Sequence, residues 1–169
     1  MSQGNGGPRG GEALYRVEVR VKPEYSDSVG AAALSLLQEL GLPGIREVRA
    51  FSIYEISGPL SSNQVQTAAR DLLCDSVTQE FKVAGPPHAV NGMNHWRVEV
   101  WLKPSVTDVV GESVQSAVAE LGLPQPKSVR CGAAYQISGR IIRAQLEKAV
   151  VRSLANPVIH TLSIMEALN

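Results

Sequence analysis

The sequence predicts an α+β fold made of two repeated β-α-β-α-β units that pack together as a pseudo-twofold dimer within one chain. Three observations carry this. The 169-residue chain matches itself without a gap at an offset of 81, so that Arg16-Val17-Glu18-Val19 meets Arg97-Val98-Glu99-Val100. Each copy opens on a stretch alternating apolar and polar residues, which is the period of a half-buried strand. Each copy then shows apolar residues at helical spacing between strand-like segments. The register holds throughout, with Lys22-Pro23 meeting Lys103-Pro104, Glu39-Leu40-Gly41-Leu42-Pro43 meeting Glu120-Leu121-Gly122-Leu123-Pro124, and Tyr54-x-Ile56-Ser57-Gly58 meeting Tyr135-x-Ile137-Ser138-Gly139. Self-similarity at a fixed period marks one structural unit used twice.

The first strand places Tyr15, Val17, Val19 and Val21 on one face and Arg16, Glu18, Arg20 and Lys22 on the other. Its copy places Trp96, Val98, Val100 and Leu102 on the apolar face. Pro23 and Pro104 stop these strands, because proline cannot donate to the ladder. A helix follows, with Ser26 or Asp27 as N-cap in the first copy and Thr107 or Asp108 in the second. Val29, Ala33, Leu36, Leu37 and Leu40 form its apolar stripe, matched by Val110, Val114, Ala117, Val118 and Leu121. Gly41 and Gly122 stand where a C-cap needs positive φ, and Pro43 and Pro124 follow as stops. A second strand is predicted over Arg46 to Ser57, bent or bulged. A second helix capped by Ser61 or Ser62 carries Val65, Ala68, Leu72 and Leu73, with Ile142, Leu146, Val150 and Leu154 in the copy. The last strand is predicted over Val77 to Val83 and Val158 to Ile164.

The units are assigned to residues 14–83 and 95–166, with a Gly-rich disordered tail at 1–13 and a linker at 84–94 marked by Pro-Pro and Asn-Gly. A unit this short buries only about 60% of its unfolded surface, so mutual packing is expected. A three-stranded sheet also leaves edges, and the other copy can cover one of them.

Composition excludes several function classes. Sixteen basic residues balance sixteen acidic ones, which supplies no field for general nucleic-acid binding. The polar N-terminus does not read as a secretory leader, and no apolar run is long enough to span a membrane. Cys74 and Cys131 fit neither a zinc set nor a redox CxxC pair. The expectation is a cytoplasmic protein with reduced thiols and no cofactor, metal, nucleic-acid partner or membrane. His88, His95 and His160 lack counterparts in the other copy and read as structural or solvent-exposed. Cys74 and Cys131 read as small buried residues. GNGGPRGG is compositional, since no strand and helix flank it.

Two features stand out as candidate contact surfaces. One is the repeated turn Lys22-Pro23-x-x-x-Asp27-x-x-Gly30 and Lys103-Pro104-x-x-x-Asp108-x-x-Gly111, largely explained by a stop, a cap and a close-packed glycine. The other is the polar face of the first strand, with Arg16, Arg20 and Lys22 against Arg97, Trp101 and Lys103. A tryptophan on that face must be covered, either by the other copy or by a partner protein.

The pattern strand–Lys-Pro–x3–Asp–x2–Gly–helix–Leu-Gly–Val-Arg–strand resembles the PurS family, the small subunit of formylglycinamide ribonucleotide amidotransferase, whose unit is related to half a ferredoxin-like fold. Its tandem form resembles the N-terminal region of large synthetase chains. Ser52-Ile53-Tyr54-Glu55-Ile56, Ala68-Ala69-Arg70-Asp71-Leu72-Leu73, Asp75-Ser76-Val77-Thr78-Gln79 and Ala155-Asn156-Pro157-Val158-Ile159 carry the likeness. The sequence departs from the family in having Asp27-Ser28-Val29-Gly30 for Asp-Pro-Gln-Gly, and Ala50-Phe51 or Cys131-Gly132 where Gly-Lys often follows Val-Arg. Arg49 and Arg130 do match. The resemblance implies an accessory subunit of phosphoribosylformylglycinamidine synthase in purine biosynthesis. Such a subunit carries no active site of its own, bridges glutaminase and synthetase subunits and supports ammonia transfer. The expected partner-interface residues are Arg20, Lys22, Asp27, Arg49, Trp101, Lys103, Asp108 and Arg130. An alternative from another class is a tandem regulatory module binding a small ligand such as an amino acid at the two Lys-Pro turns.

Overall fold

The computed structural model describes residues 13–84 and 95–166. Ala13 and Ala84, assigned to the tail and the linker, are end residues of the strands Ala13–Val21 and Gln79–Ala84; the rest of the predicted tail and linker, and His88 with them, lie outside the described residues. Repeat 1 contains β1 (Ala13–Val21), α1 (Ser28–Glu39), β2 (Ile45–Gly58), α2 (Ser62–Ala68) and β3 (Gln79–Ala84). Repeat 2 contains β4 (His95–Leu102), α3 (Val109–Glu120), β5 (Ser128–Gly139), α4 (Arg143–Ser153) and β6 (His160–Glu166). A wider π-type turn at Ala69–Leu73 continues α2.

The strands form one six-stranded sheet in the order β3-β1-β2-β5-β4-β6, each neighbouring pair antiparallel. The repeats join through β2 and β5, whose ladder runs from Ile45↔Gly139 to Ser57↔Ser128. Ser52 pairs with Ala133, its own repeat counterpart, so the pseudo-twofold axis passes through this pair. This is the contact an isologous dimer makes, placed inside one chain. It covers the β2 edge of one unit with the β5 edge of the other. A register irregularity in the β2–β5 ladder lies between Ile45 and Glu47, at the start of β2.

The helices lie on one face, and they exchange partners. One core gathers Ala33 and Leu37 of α1 with Val98 and Val100 of β4 and Leu146, Ala149 and Val150 of α4. The other gathers Val17 and Val19 of β1 and Val65 and Ala68 of α2 with Val118 of α3. Each repeat's first helix therefore completes the core of the other repeat.

Several sequence expectations need correction. Val29 and Leu36 are 58% and 44% exposed, so α1 buries only the narrower stripe Gly30, Ala33 and Leu37. Val110, Leu121, Leu72 and Ile142 are likewise exposed. Apolar spacing identifies a helix, but the width of its buried stripe depends on how many neighbours flank it. Val77 and Val158 are exposed residues of the turns before the last strands, which begin at Gln79 and His160. Cys74 and Cys131 are both half-buried rather than buried.

Candidate functional site

The two Lys-Pro turns are built alike. Asp27 caps α1 through its side chain, with Oδ1 accepting from Gly30 N at 2.8 Å, while Oδ2 accepts from Ala50 N of β2 at 2.8 Å. Asp108 repeats this with Gly111 N at 2.8 Å and Cys131 N of β5 at 2.7 Å. Each aspartate thus pins a helix start to a central strand. Glycine at the next turn makes the approach possible: a Cβ on Gly30 would lie 2.3 Å from Val48 O, and one on Gly111 2.2 Å from Val129 O.

These turns shape two related clefts. The first, of about 260 Å³, is lined by Arg20, Lys22, Pro23, Tyr25, Asp27, Glu47 and Arg49. The second, of about 440 Å³, is lined by Lys103, Pro104, Val106, Asp108, Arg130 and Cys131. Four of the predicted interface residues meet in the first cleft and three in the second. Arg20 Nε donates to Glu80 at 2.5 Å, Lys22 Nζ to the Ser76 carbonyl at 2.8 Å, and Arg49 Nε to Glu47 at 2.9 Å. Exposed pairs of this kind contribute about 0–1 kcal/mol each and remain free to exchange partners.

Trp101 stands apart from both clefts. It is 7% exposed and packs with Phe51, Ile53 and Ala134 on the sheet face opposite the helices. Residues of both repeats cover it, Phe51 and Ile53 from one and Ala134 from its own, which answers the cost of an aromatic on that face. Its indole Nε1 donates to Glu99 Oε2 at 3.1 Å, and the Arg16 and Arg130 guanidinium groups lie 5.5 and 4.9 Å from its ring.

Around it lies a charge network on the polar face of β1 and β4. Arg16 donates to Glu99 at 2.6 Å and to Glu55 at 2.9 Å. Arg97 donates to Glu99 at 2.9 Å and pairs with Glu18. Arg130 donates to Glu55 at 2.9 Å. Arg16, Arg97 and Glu99 are only 9%, 7% and 3% exposed, although the buried residues of all four helices belong to the opposite face. β1 and β4 stand three strand spacings apart, about 14 Å in a flat sheet. The direct Arg16–Glu99 contact therefore means that the long side chains lie across the sheet over Ile53, Gly132 and Ala134. The signal was available: both repeats carry the same Arg-Val-Glu-Val on strands flanking the central pair.

Burial pushes the Glu99 carboxyl up, but hydrogen bonds from Arg97 and Trp101 and the charges of Arg16 and Arg97 outweigh it, leaving the group below its ordinary value. The Cys131 thiol is pushed up to about 12 by burial and by the Asp108 carboxylate, so it stays protonated at neutral pH. Burial, then Asp75, raises the Cys74 thiol as well. His95 Nδ1 lies 2.8 Å from Ser138 Oγ, and His160 Nδ1 accepts from Asn156 N at 2.9 Å. Among the described residues, no group of three or more His, Cys, Asp or Glu is gathered to hold a metal, and no helix is long and apolar enough to cross a membrane. The arrangement suits electrostatic contact with another molecule.

The family model of PurS, described as phosphoribosylformylglycinamidine (FGAM) synthase, matches residues 14–85 and again residues 95–166. The chain belongs to the PurS family. Membership associates it with FGAM synthase and with purine biosynthesis, as a tandem duplication of the PurS unit. Among solved structures, PurS of B. subtilis in a C2 crystal form is similar at 28% identity over 42% of this chain and 94% of that one, with a TM-score of 0.39. PurS of Methanocaldococcus jannaschii, described as one of the subunits of formylglycinamide ribonucleotide amidotransferase, is similar at 28% identity over 44% of this chain and 98% of that one, with a TM-score of 0.36. No curated protein matches the chain.

Proposed function

We propose that this chain is an accessory subunit of phosphoribosylformylglycinamidine synthase, carrying no active site, that bridges the glutaminase and synthetase subunits and supports ammonia transfer between them. One observation carries the reading: two PurS units occur in one chain and share a single sheet through β2 and β5. A bridging subunit needs two faces held in fixed relation, and a shared sheet with exchanged cores supplies that rigidity. The twin clefts, with Arg20, Lys22, Asp27 and Arg49 in one and Lys103, Asp108 and Arg130 in the other, are the proposed contact points. Their exposed arginines and half-buried lysines suit carboxylate-bearing partner surfaces. Trp101 serves indirectly, by holding Arg130 over its ring.

The test is reconstitution with the synthetase and glutaminase subunits of the same organism. Glutamine-dependent turnover is expected to need this chain, while ammonia-dependent turnover suffers less from its omission. Equal glutamine-dependent turnover with and without the chain defeats the proposal.

A further inference from the structure

The repeats differ at two facing positions on the sheet face opposite the helices. Arg20 and Phe51 of repeat 1 correspond to Trp101 and Gly132 of repeat 2. In repeat 2, Trp101 lies directly on Gly132: a Cβ added there would stand 2.7 Å from the indole ring. The tryptophan fills the space that a side chain at position 132 would take. In repeat 1 the equivalent space is a groove of about 500 Å³, lined by Glu18, Arg20, Phe51, Lys82, Arg97 and Gln136. A symmetric homodimer would present two such grooves; this chain seals one and leaves one open.

We propose that the open groove is a single, one-sided docking site that takes a protein segment presenting an apolar side chain beside a carboxylate. Phe51 is half-buried on the groove and carries the Arg97 guanidinium 5.6 Å from its ring. It offers a rigid aromatic surface of the kind that anchors interfaces. The charges around it do not cancel. Glu18 is held by Arg97 and Glu80 by Arg20, which leaves the exposed Lys82 as the excess cation at the rim. The complementary partner supplies the missing negative charge there, next to the group that packs on Phe51. The repeat-2 side cannot take the same segment, because Trp101 occupies its place. The chain therefore binds one such partner in one orientation.

This rests on the bridging role proposed above, and the experiment separates the two. The full chain is titrated against the synthetase and the glutaminase subunits by calorimetry, with stoichiometry read by native mass spectrometry. The wild-type chain is expected to bind one of them at one copy per chain. The double substitution Arg20→Trp with Phe51→Gly grafts the repeat-2 plug into the groove and is expected to weaken that binding at least about tenfold. Lys82→Glu, at an exposed position across from Glu18 on β1, is expected to weaken it several-fold and to flatten its salt dependence. It decides the matter should the double variant fail to fold. Unchanged binding of Lys82→Glu and of a folded double variant, or two equivalent partners per chain, overturns the one-sided groove and leaves the bridging role standing. Absence of any complex with the wild-type chain overturns both.

Discussion

Asp27 and Asp108 each satisfy two backbone N–H groups that belong to different elements, one at a helix start and one on a central strand. Removing either carboxylate takes away an N-cap and strands a partly buried strand N–H. Asp27→Ala and Asp108→Ala are each expected to cost about 1–3 kcal/mol, read from urea unfolding midpoints. The capping half of this role was legible, because an aspartate before an apolar stripe is a cap signal. The strand half was not, since Ala50 and Cys131 are 23 residues away and only the packed turn brings them close. Glu99 gives a second prediction. It accepts from Arg16, Arg97 and Trp101 in a buried setting, so Glu99→Gln removes one counter-charge from the network and leaves Arg16 with Glu55 alone and Arg97 with Glu18 alone. The expected loss at neutral pH is about 1.5–3 kcal/mol. Because the folded carboxyl lies below its ordinary value of 4.5, its contribution is complete above that value. It is lost as the pH falls through the lower folded value. The gap between wild type and Glu99→Gln in urea unfolding should therefore close on acidification below the ordinary carboxylate range.

Paired elements of the two repeats provide internal controls. Helix α2 begins with a capping box, in which Ser61 Oγ accepts from Gln64 N and the Gln64 side chain accepts from Ser61 N. Helix α4 begins at the equivalent place with Ile142, which makes no side-chain cap and is 64% exposed. The glutamine is still present as Gln145. Ile142→Ser restores both halves of the box and gives up little buried surface. It should stabilise the chain by about 0.5–1 kcal/mol, whereas Ser61→Ala should destabilise it by a similar amount. Thermal unfolding of the two variants checks both signs. The elements themselves were legible from periodicity and stop signals: Gly41 and Gly122 do adopt positive φ, at 94° and 81°. The ends were less so. Val77 and Val158 look like strand residues by composition, yet they sit in turns where Asp75 Oδ1 and Asn156 Oδ1 accept from their N–H groups. Side-chain to backbone bonds of this kind compete with the ladder and delay the strand.

At the scale of the whole molecule, the sequence revealed that there are two units but not how they share a core. Helical spacing shows which side of α1 is apolar; it does not say that Leu37 packs with Leu146 of the other repeat while Val118 of α3 packs with Val17 and Val65. The β2–β5 pairing was equally hidden, because an unpaired edge asks for cover without naming it. Exchanged cores have a consequence for stability. Neither repeat retains a complete core without the other, so the chain should unfold in one transition, with coincident signals from the Trp96 and Trp101 environments and from the backbone. The decisive measurement is a pair of double-mutant cycles. Leu37→Ala and Leu146→Ala, each costing about 2–5 kcal/mol, remove side chains from one shared cluster and should couple by about 0.5–3 kcal/mol although they lie in different repeats. Leu37→Ala and Val65→Ala lie in the same repeat but in different clusters, and should add within about 0.5 kcal/mol. If coupling instead followed repeat membership, each unit would own its core and the exchange of helices would contribute nothing to stability.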